Sequence, residues 1–167
     1  MKIPTFLTLI ATLFAVPMDS ARAAEKSPIP PQQTTGIKVV LQVSEPKEKN
    51  GVNKGLFYAK KLLETYEAQG VPASEIDLRL VYHGEGAAAL LSDAAYERLS
   101  AKAGPNPNKE LVSELKKAGV HFEICANTMK EKKIATDELL PEVDIVAGAY
   151  IRLIDLQKAG YSYIQVE

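Results

Sequence analysis

The chain has very little cysteine: Cys125 is the only one among 167 residues. A single cysteine cannot close an internal disulfide, even in a compartment that permits one, so a disulfide scaffold is excluded. The thiol is therefore free, modified or bonded to another molecule. One cysteine and two histidines are also too few for a zinc site within one chain, which typically needs about three or four ligands. We therefore expect no bound metal.

An excess of charge of one sign is also missing. The 20 Lys and Arg residues are balanced by 21 Asp and Glu residues, and the formal net charge is −1. Lysine and glutamate alternate along the chain, whereas nucleic-acid-binding proteins usually carry a basic patch or stripe. We therefore expect no nucleic-acid partner.

Several familiar catalytic motifs are absent. The sequence contains no G-x-S-x-G elbow, no G-x-x-x-x-G-K-[ST] loop and no H-E-x-x-H pair. The motifs typical of α/β-hydrolases, P-loop nucleotide-binding proteins and zinc metalloproteases are therefore absent. Residues 84–89 fit a relaxed G-x-G-x-x-A fingerprint, but they follow the second predicted strand and no convincing acidic residue ends the next one. A tight strand-to-helix turn is the plainer interpretation. We expect no bound cofactor.

No apolar run is long enough to span a bilayer, which takes about 20 residues. Residues 6–16 form a shorter uncharged run, preceded by Lys2 and followed by Ala21-Arg22-Ala23, the pattern of a secretory signal peptide. This pattern predicts that residues 1–23 are removed and that the mature protein is periplasmic or secreted. A lipid anchor needs a cysteine immediately after the cut, and position 24 is alanine, so we expect no lipid or membrane anchor after cleavage.

The rest of the chain divides into a short tether and one domain. Residues 24–35 contain three prolines among polar residues and predict a flexible Pro-rich tether, followed by a domain over 36–167. In that domain, short apolar runs alternate with longer amphipathic stretches, which is typical of successive βα units around a parallel sheet. The predicted strands are 37–43, 76–82, 120–125, 143–146 and 161–166. The predicted helices are 53–69, 86–91, 92–101, 107–118, 127–133 and 150–158, with Asn106 as the cap of the fourth.

The candidate site lies where these strands end, because parallel α/β sheets collect catalytic groups at the carboxyl ends of their strands. Cys125 falls between a strand and the first turn of a helix, where free backbone N–H groups and the helix dipole favour a thiolate. Such placement can lower a cysteine pKa from about 8.5 toward about 3.5–7.5. The alternative is a small buried hydrophobic residue without reactivity.

Two further residues at this edge are candidates for a catalytic role. His83 ends the second strand and is a possible base for Cys125 if the two strands are neighbours, or else an ordinary turn residue. Asn127 follows Cys125 in the first turn of the next helix. His121 begins the third strand, at the opposite end of the sheet, and is predicted to be structural.

Three segments carry a resemblance to a known family: KKAGVHFEICANTMKEKKI, ELLPEVDIVAGAYIRLIDLQKAGYSYIQVE and VYHGEGAAALL. From about Gly36 to the C-terminus the chain resembles the DsrE/DsrF-like family in its exported, single-domain branch. The resemblance implies a three-layer α/β/α sandwich with a mainly parallel five-stranded sheet, and a homotrimer or homohexamer. It also implies that Cys125 carries sulfur as a persulfide. The sulfur-relay members are cytoplasmic and act in hetero-oligomers, whereas this chain has an export signal.

Three functions are compatible with these sequence features. In the first, the protein is an exported persulfide carrier or is sulfurtransferase-like. Its Cys125 takes sulfur from a sulfane-sulfur donor and passes it to a thiol-containing protein partner. In the second, the chain is a non-catalytic oligomeric module that binds a small ligand or a partner, and Cys125 merely packs. In the third, Cys125 is a thiol redox sensor that forms an intermolecular disulfide.

Overall fold

The computed structural model describes residues 27–167 and contains one five-stranded sheet. Its strands are β1 (Ile37–Val43), β4 (Ile76–Tyr82), β5 (His121–Cys125), β6 (Val143–Val146) and β7 (Ser162–Val166). They lie in the order β6-β5-β4-β1-β7, and every neighbouring pair is parallel. The central strands are almost wholly buried because helices cover both faces, which explains their nearly continuous apolar sequences.

A small hairpin precedes the first helix and was not predicted. It pairs β2 (Glu48–Lys49) with β3 (Val52–Asn53) in antiparallel fashion. Asn50 and Gly51 connect the two strands at φ values of 54° and 80°. Positive φ at both central residues is the pattern of a type I′ turn, which asparagine and glycine adopt readily.

Five α-helices connect the strands: α1 (Lys54–Glu67), α2 (Asp93–Ser100), α3 (Lys109–Lys117), α4 (Ala126–Lys132) and α5 (Ala149–Lys158). Short 3-10 helices cover Ala73–Glu75, Gly84–Leu90 and Thr136–Glu138. The larger apolar core lies between the sheet and residues from the first four helices. A smaller core on the other face joins Val40, Val81 and Cys125 to Ala149, Leu153 and Leu156 of α5. The predicted α/β fold with a five-stranded parallel sheet is confirmed, and in the described residues α5 supplies the second helical layer.

The start of α3 differs from the prediction. The helix begins at Lys109, two residues later than the capping pattern at Asn106-Pro107 indicated. The Asn106 side chain is buried and donates hydrogen bonds to the carbonyls of Ala89 and Leu91, while its Oδ1 accepts the N–H of Asn108. Asn106 therefore ties the loop to the preceding 3-10 helix, and the helix starts only after that turn.

The glycine-rich segment after β4 forms a tight turn against the end of β1. Gly84 has a φ of 55°, and the N–H of Gly86 donates to the carbonyl of Ser44 at 2.8 Å. A Cβ atom at Gly86 would lie 2.9 Å from the carbonyl oxygen of Val43, closer than real Cβ atoms come. The segment is thus a turn in which position 86 must be glycine, because the backbone at the end of β1 leaves no room for a side chain there.

The predicted signal peptide, residues 1–23, lies outside the described residues. Residues 27–35, the described part of the predicted tether, form neither helix nor strand. Within residues 27–167, none of the helices has the length and apolar character needed to cross a membrane.

Candidate functional site

Cys125, His83 and the first turn of α5 meet at the carboxyl edge of the sheet. Cys125 is both the last residue of β5 and the N-cap of α4. Tyr82 of β4 pairs in register with Ile124 of β5. His83, which directly follows β4, and Cys125, the last residue of β5, therefore occupy corresponding positions. The predicted placement of Cys125 between a strand and a helix is confirmed.

These residues line a cavity of about 330 Å³ that opens to solvent. Its walls include Cys125, His83, Asn127, Thr128, Glu131 and Tyr150. Cys125 is only 5% exposed, and most of its side chain packs in the smaller core against α5. A reagent that reaches the sulfur must therefore do so through this cavity.

Several hydrogen-bond donors converge on the sulfur of Cys125. The backbone N–H of Ala149, the first residue of α5, donates to Sγ at 3.4 Å. Burial by itself raises the pKa of the thiol, but the backbone N–H groups of Thr128, Ala149 and Asn127 and the Thr128 hydroxyl outweigh it, so the pKa lies below the ordinary value. The site favours a thiolate.

Thr128 is held in place by the glycine turn after β4. The backbone N–H of Gly84 donates to Thr128 Oγ1 at 3.1 Å, and the Thr128 side chain is buried. Because the oxygen accepts this bond, the hydroxyl hydrogen remains available to donate to the Cys125 sulfur. Thr128 thereby links β4, α4 and the thiol.

His83 belongs to a separate hydrogen-bond chain. The Gln42 side-chain amide donates to His83 Nε2 at 2.7 Å, and the Tyr163 hydroxyl donates to Gln42 Oε1. Burial lowers the pKa of His83, so the imidazole is neutral at pH 7. Its ring also meets that of Tyr150 edge-on, with centroids 5.4 Å apart. Among the described residues, no hydrogen bond joins His83 to Cys125.

The two other residues considered from the sequence lie in different places. Asn127 is exposed at the cavity, and its backbone N–H is one of the donors that act on the thiol. His121 begins β5, at the end of the strand opposite to Cys125, as predicted.

Three residues that contribute to the site were missed at the sequence level: Thr128, Gln42 and Tyr150. Thr128 stands three residues after the N-cap, a spacing at which a side chain can reach back to the capping residue. Gln42 interrupts the apolar run of β1, and a polar residue inside a buried strand signals a specific partner. Tyr150 offered no comparable signal.

The donor set does not resemble a metal site. Among residues 27–167, no group of three or more His, Cys, Asp or Glu side chains is placed to hold a metal ion. The cavity instead combines one thiol, one neutral imidazole and a set of N–H donors, which together can stabilise a sulfur anion and admit a small reactant.

Comparisons with known proteins agree with this architecture. No curated protein matches the chain significantly. Solved structures similar to this chain include a protein of unknown function, MTH1491, from Methanobacterium thermoautotrophicum, with a TM-score of 0.61 at 22% identity. They also include the ychN protein from E. coli, with a TM-score of 0.55 at 19% identity. In each case 78% of this chain and 99% of the other are covered. The model of the DsrE/DsrF-like family matches residues 37–166, nearly the whole described domain. The chain therefore belongs to the DsrE/DsrF-like family.

Proposed function

We propose that this protein carries sulfur on Cys125 as a persulfide. The observation that carries the proposal is the set of N–H donors around a thiol that faces a cavity, with the Ala149 N–H 3.4 Å from Sγ. Membership of the DsrE/DsrF-like family, which is associated with sulfur relay, supports it. The donors favour the thiolate, which is the nucleophilic form of cysteine.

The proposed chemistry is an exchange of sulfur without net oxidation. The Cys125 thiolate attacks a terminal sulfane sulfur of a polysulfide, the S–S bond of the donor breaks, and the shortened donor leaves as an anion. The persulfide then holds the negative charge on its outer sulfur. When a partner thiolate attacks that outer sulfur, the new S–S bond of the partner persulfide forms and the Cys125 thiolate is released.

The test is intact mass spectrometry after incubation with polysulfide. We expect the wild-type protein to gain the mass of one sulfur atom and to lose it on treatment with a reductant. The Cys125→Ser variant should show no gain in mass. Transfer is followed by adding a small thiol and measuring the return of the protein to its original mass. A wild-type protein that gains no sulfur while folded, or a Cys125→Ser variant that gains as much, would contradict the proposal.

The burial of Cys125 favours a second candidate function. Only 5% of the residue is exposed, and it packs with Val40, Val81 and Leu153. A non-catalytic module that binds a small ligand or partner at the same edge would use the cysteine for packing alone. If the protein is such a module, its Cys125→Ser variant should bind the ligand as well as the wild type does. If the protein is a sulfur carrier, the same variant should lose sulfur uptake.

Export and self-assembly complete the proposal. The pattern in residues 1–23 supports export with cleavage after Ala23.

Exposed apolar side chains on α5, namely Tyr150, Ile151 and Ile154, support a homo-oligomer in which a second copy of the chain covers this helix. The family resemblance favours a trimer or a hexamer.

A further inference from the structure

A buried carboxylate lies two residues before Cys125 on the same strand. The Glu123 side chain is 3% exposed, and its two oxygens accept hydrogen bonds from Nε and Nη2 of Arg152, both at 2.7 Å. Nη1 of Arg79 on β4 also donates to Glu123 at 3.1 Å. Since alternate residues of a strand point to the same face, Glu123 and Cys125 both project toward α5.

Arg152 lies in the same turn of α5 as the residue that contacts the thiol. The backbone N–H of Arg152 bonds the carbonyl of Gly148 at 3.0 Å and closes the first turn of the helix around Ala149. Strand β5 and helix α5 therefore meet at two successive contacts. One is the two-pronged ion pair between Arg152 and Glu123, and the other is the hydrogen bond from Ala149 to Cys125.

We infer that Arg152 and Glu123 are positioning residues that hold the first turn of α5 against β5 and thereby keep the Ala149 N–H on the Cys125 sulfur. The inference rests on the proposed function of Cys125 and deepens it. The remaining contacts of α5 with the sheet include apolar packing by Leu153 and Leu156, which is non-directional. A two-pronged arginine–carboxylate pair fixes both distance and orientation.

Other charged or titratable groups also face this region. Arg79 lies on β4 and His83 directly follows that strand, while Glu131 of α4 and Tyr150 of α5 line the cavity. Arg79 provides a matched control because it binds the same Glu123 carboxylate with the same kind of group, but from the sheet. Arg79 also pairs with Asp77 and donates to the Tyr161 hydroxyl at 2.8 Å. Its loss removes these contacts and a cation near Glu123, but it leaves the link between Arg152 of α5 and Glu123 of β5 in place.

The experiment compares Arg152→Met with Arg79→Met in the full mature protein. Two quantities are measured: the rate of Cys125 alkylation by iodoacetamide as a function of pH, and the hydrogen exchange of the Ala149 amide by NMR. Each variant leaves Glu123 paired with the other arginine, and the Arg152 side chain is 30% exposed, so the fold should tolerate its replacement.

We expect Arg152→Met to raise the apparent pKa of Cys125, to slow alkylation at pH 7 by about threefold or more, and to leave the rate at high pH unchanged. Ala149 exchange should become about threefold faster or more. Arg79→Met should leave both quantities close to those of the wild type. Arg152→Lys, which retains the charge and one contact, should fall between the wild type and Arg152→Met.

Two results would overturn the inference. One is unchanged Ala149 exchange in Arg152→Met, since the helix would then keep its position without the pair. The other is an equal change in the thiol pKa in both methionine variants, since charge alone would then be the cause. Amide exchange needs no reaction at sulfur, so it decides the positioning role even if wild-type Cys125 proves unreactive and the proposed function fails.

Discussion

The thiol of Cys125 experiences two opposed influences. Burial disfavours the thiolate, because a charge loses hydration in the protein interior. Backbone N–H groups from both α4 and α5, together with the Thr128 hydroxyl, favour it and prevail in lowering the pKa. The balance depends on named donors, so it can be altered one donor at a time.

Replacement of Thr128 tests the contribution of its hydroxyl. Thr128→Val keeps the shape of the side chain but removes the donor to sulfur, so the pKa of Cys125 should rise and alkylation at neutral pH should slow. Thr128→Ser keeps the hydroxyl and should resemble the wild type. Val also leaves the Gly84 N–H without its acceptor, which should cost about 1–3 kcal/mol of stability. Equal alkylation profiles for the Val and Ser variants would show that the hydroxyl has no effect on the thiol.

The structure gives His83 a hydrogen-bond partner other than Cys125. The histidine does lie beside Cys125 at the end of a neighbouring strand, as the sequence allowed. Its Nε2 lone pair, however, accepts a hydrogen bond from Gln42 rather than facing a proton on sulfur. The sequence could not show this because the partner lies 41 positions away on β1.

At the scale of elements, sequence patterns located the buried strands well. The predicted bounds of β1, β4 and β6 agree with the structure, because short apolar runs bounded by turns identify strands in a parallel sheet. The β2–β3 hairpin was missed because each strand has only two residues, although Asn50-Gly51 is a recognised hairpin signal.

Strand order is the feature that patterns along the chain could not supply. Local periodicity does not say which strands are neighbours, and it does not place α5 alone on one face of the described sheet. That placement brings Ala149 to Cys125, 24 positions away. The strand-end rule identified the edge of the sheet and the cysteine, while the donors from distant segments required the three-dimensional fold.

Helix α5 also supports the prediction of self-assembly. Ile154 is 53% exposed on its outer side, and we expect a second copy of the chain to cover it. Light scattering should give a mass of three or six protomers for the mature wild type, and Ile154→Asp should shift the protein toward the monomer because a charge is costly in an apolar interface.

The same substitution at an isoleucine far more exposed to solvent provides the control. Ile29 is 89% exposed, and Ile29→Asp should leave the mass unchanged. A wild-type protein that is monomeric at micromolar concentration would contradict the assembly.

At the scale of the whole molecule, the predicted signal peptide bears on the compartment in which the thiol would act. We expect the mature protein to begin at Ala24, because small residues occupy both positions that specify cleavage after Ala23. N-terminal sequencing of the protein from the envelope fraction of its native cells checks this. A soluble mature form that still begins at Met1 or Lys2 would show that the leader is not removed.

The central claim is that Cys125 of the folded protein is a reactive thiolate reached through the cavity, and its alkylation rate as a function of pH tests that claim most directly. Iodoacetamide should label the native wild type, and the rate should rise with pH around an apparent pKa below the free-cysteine value of about 8.5, because the donors stabilise the thiolate. The contrary result is a thiol that resists labelling until the protein unfolds, or that titrates at or above that value. Cys125 would then be a buried structural residue, and the carrier mechanism would be wrong.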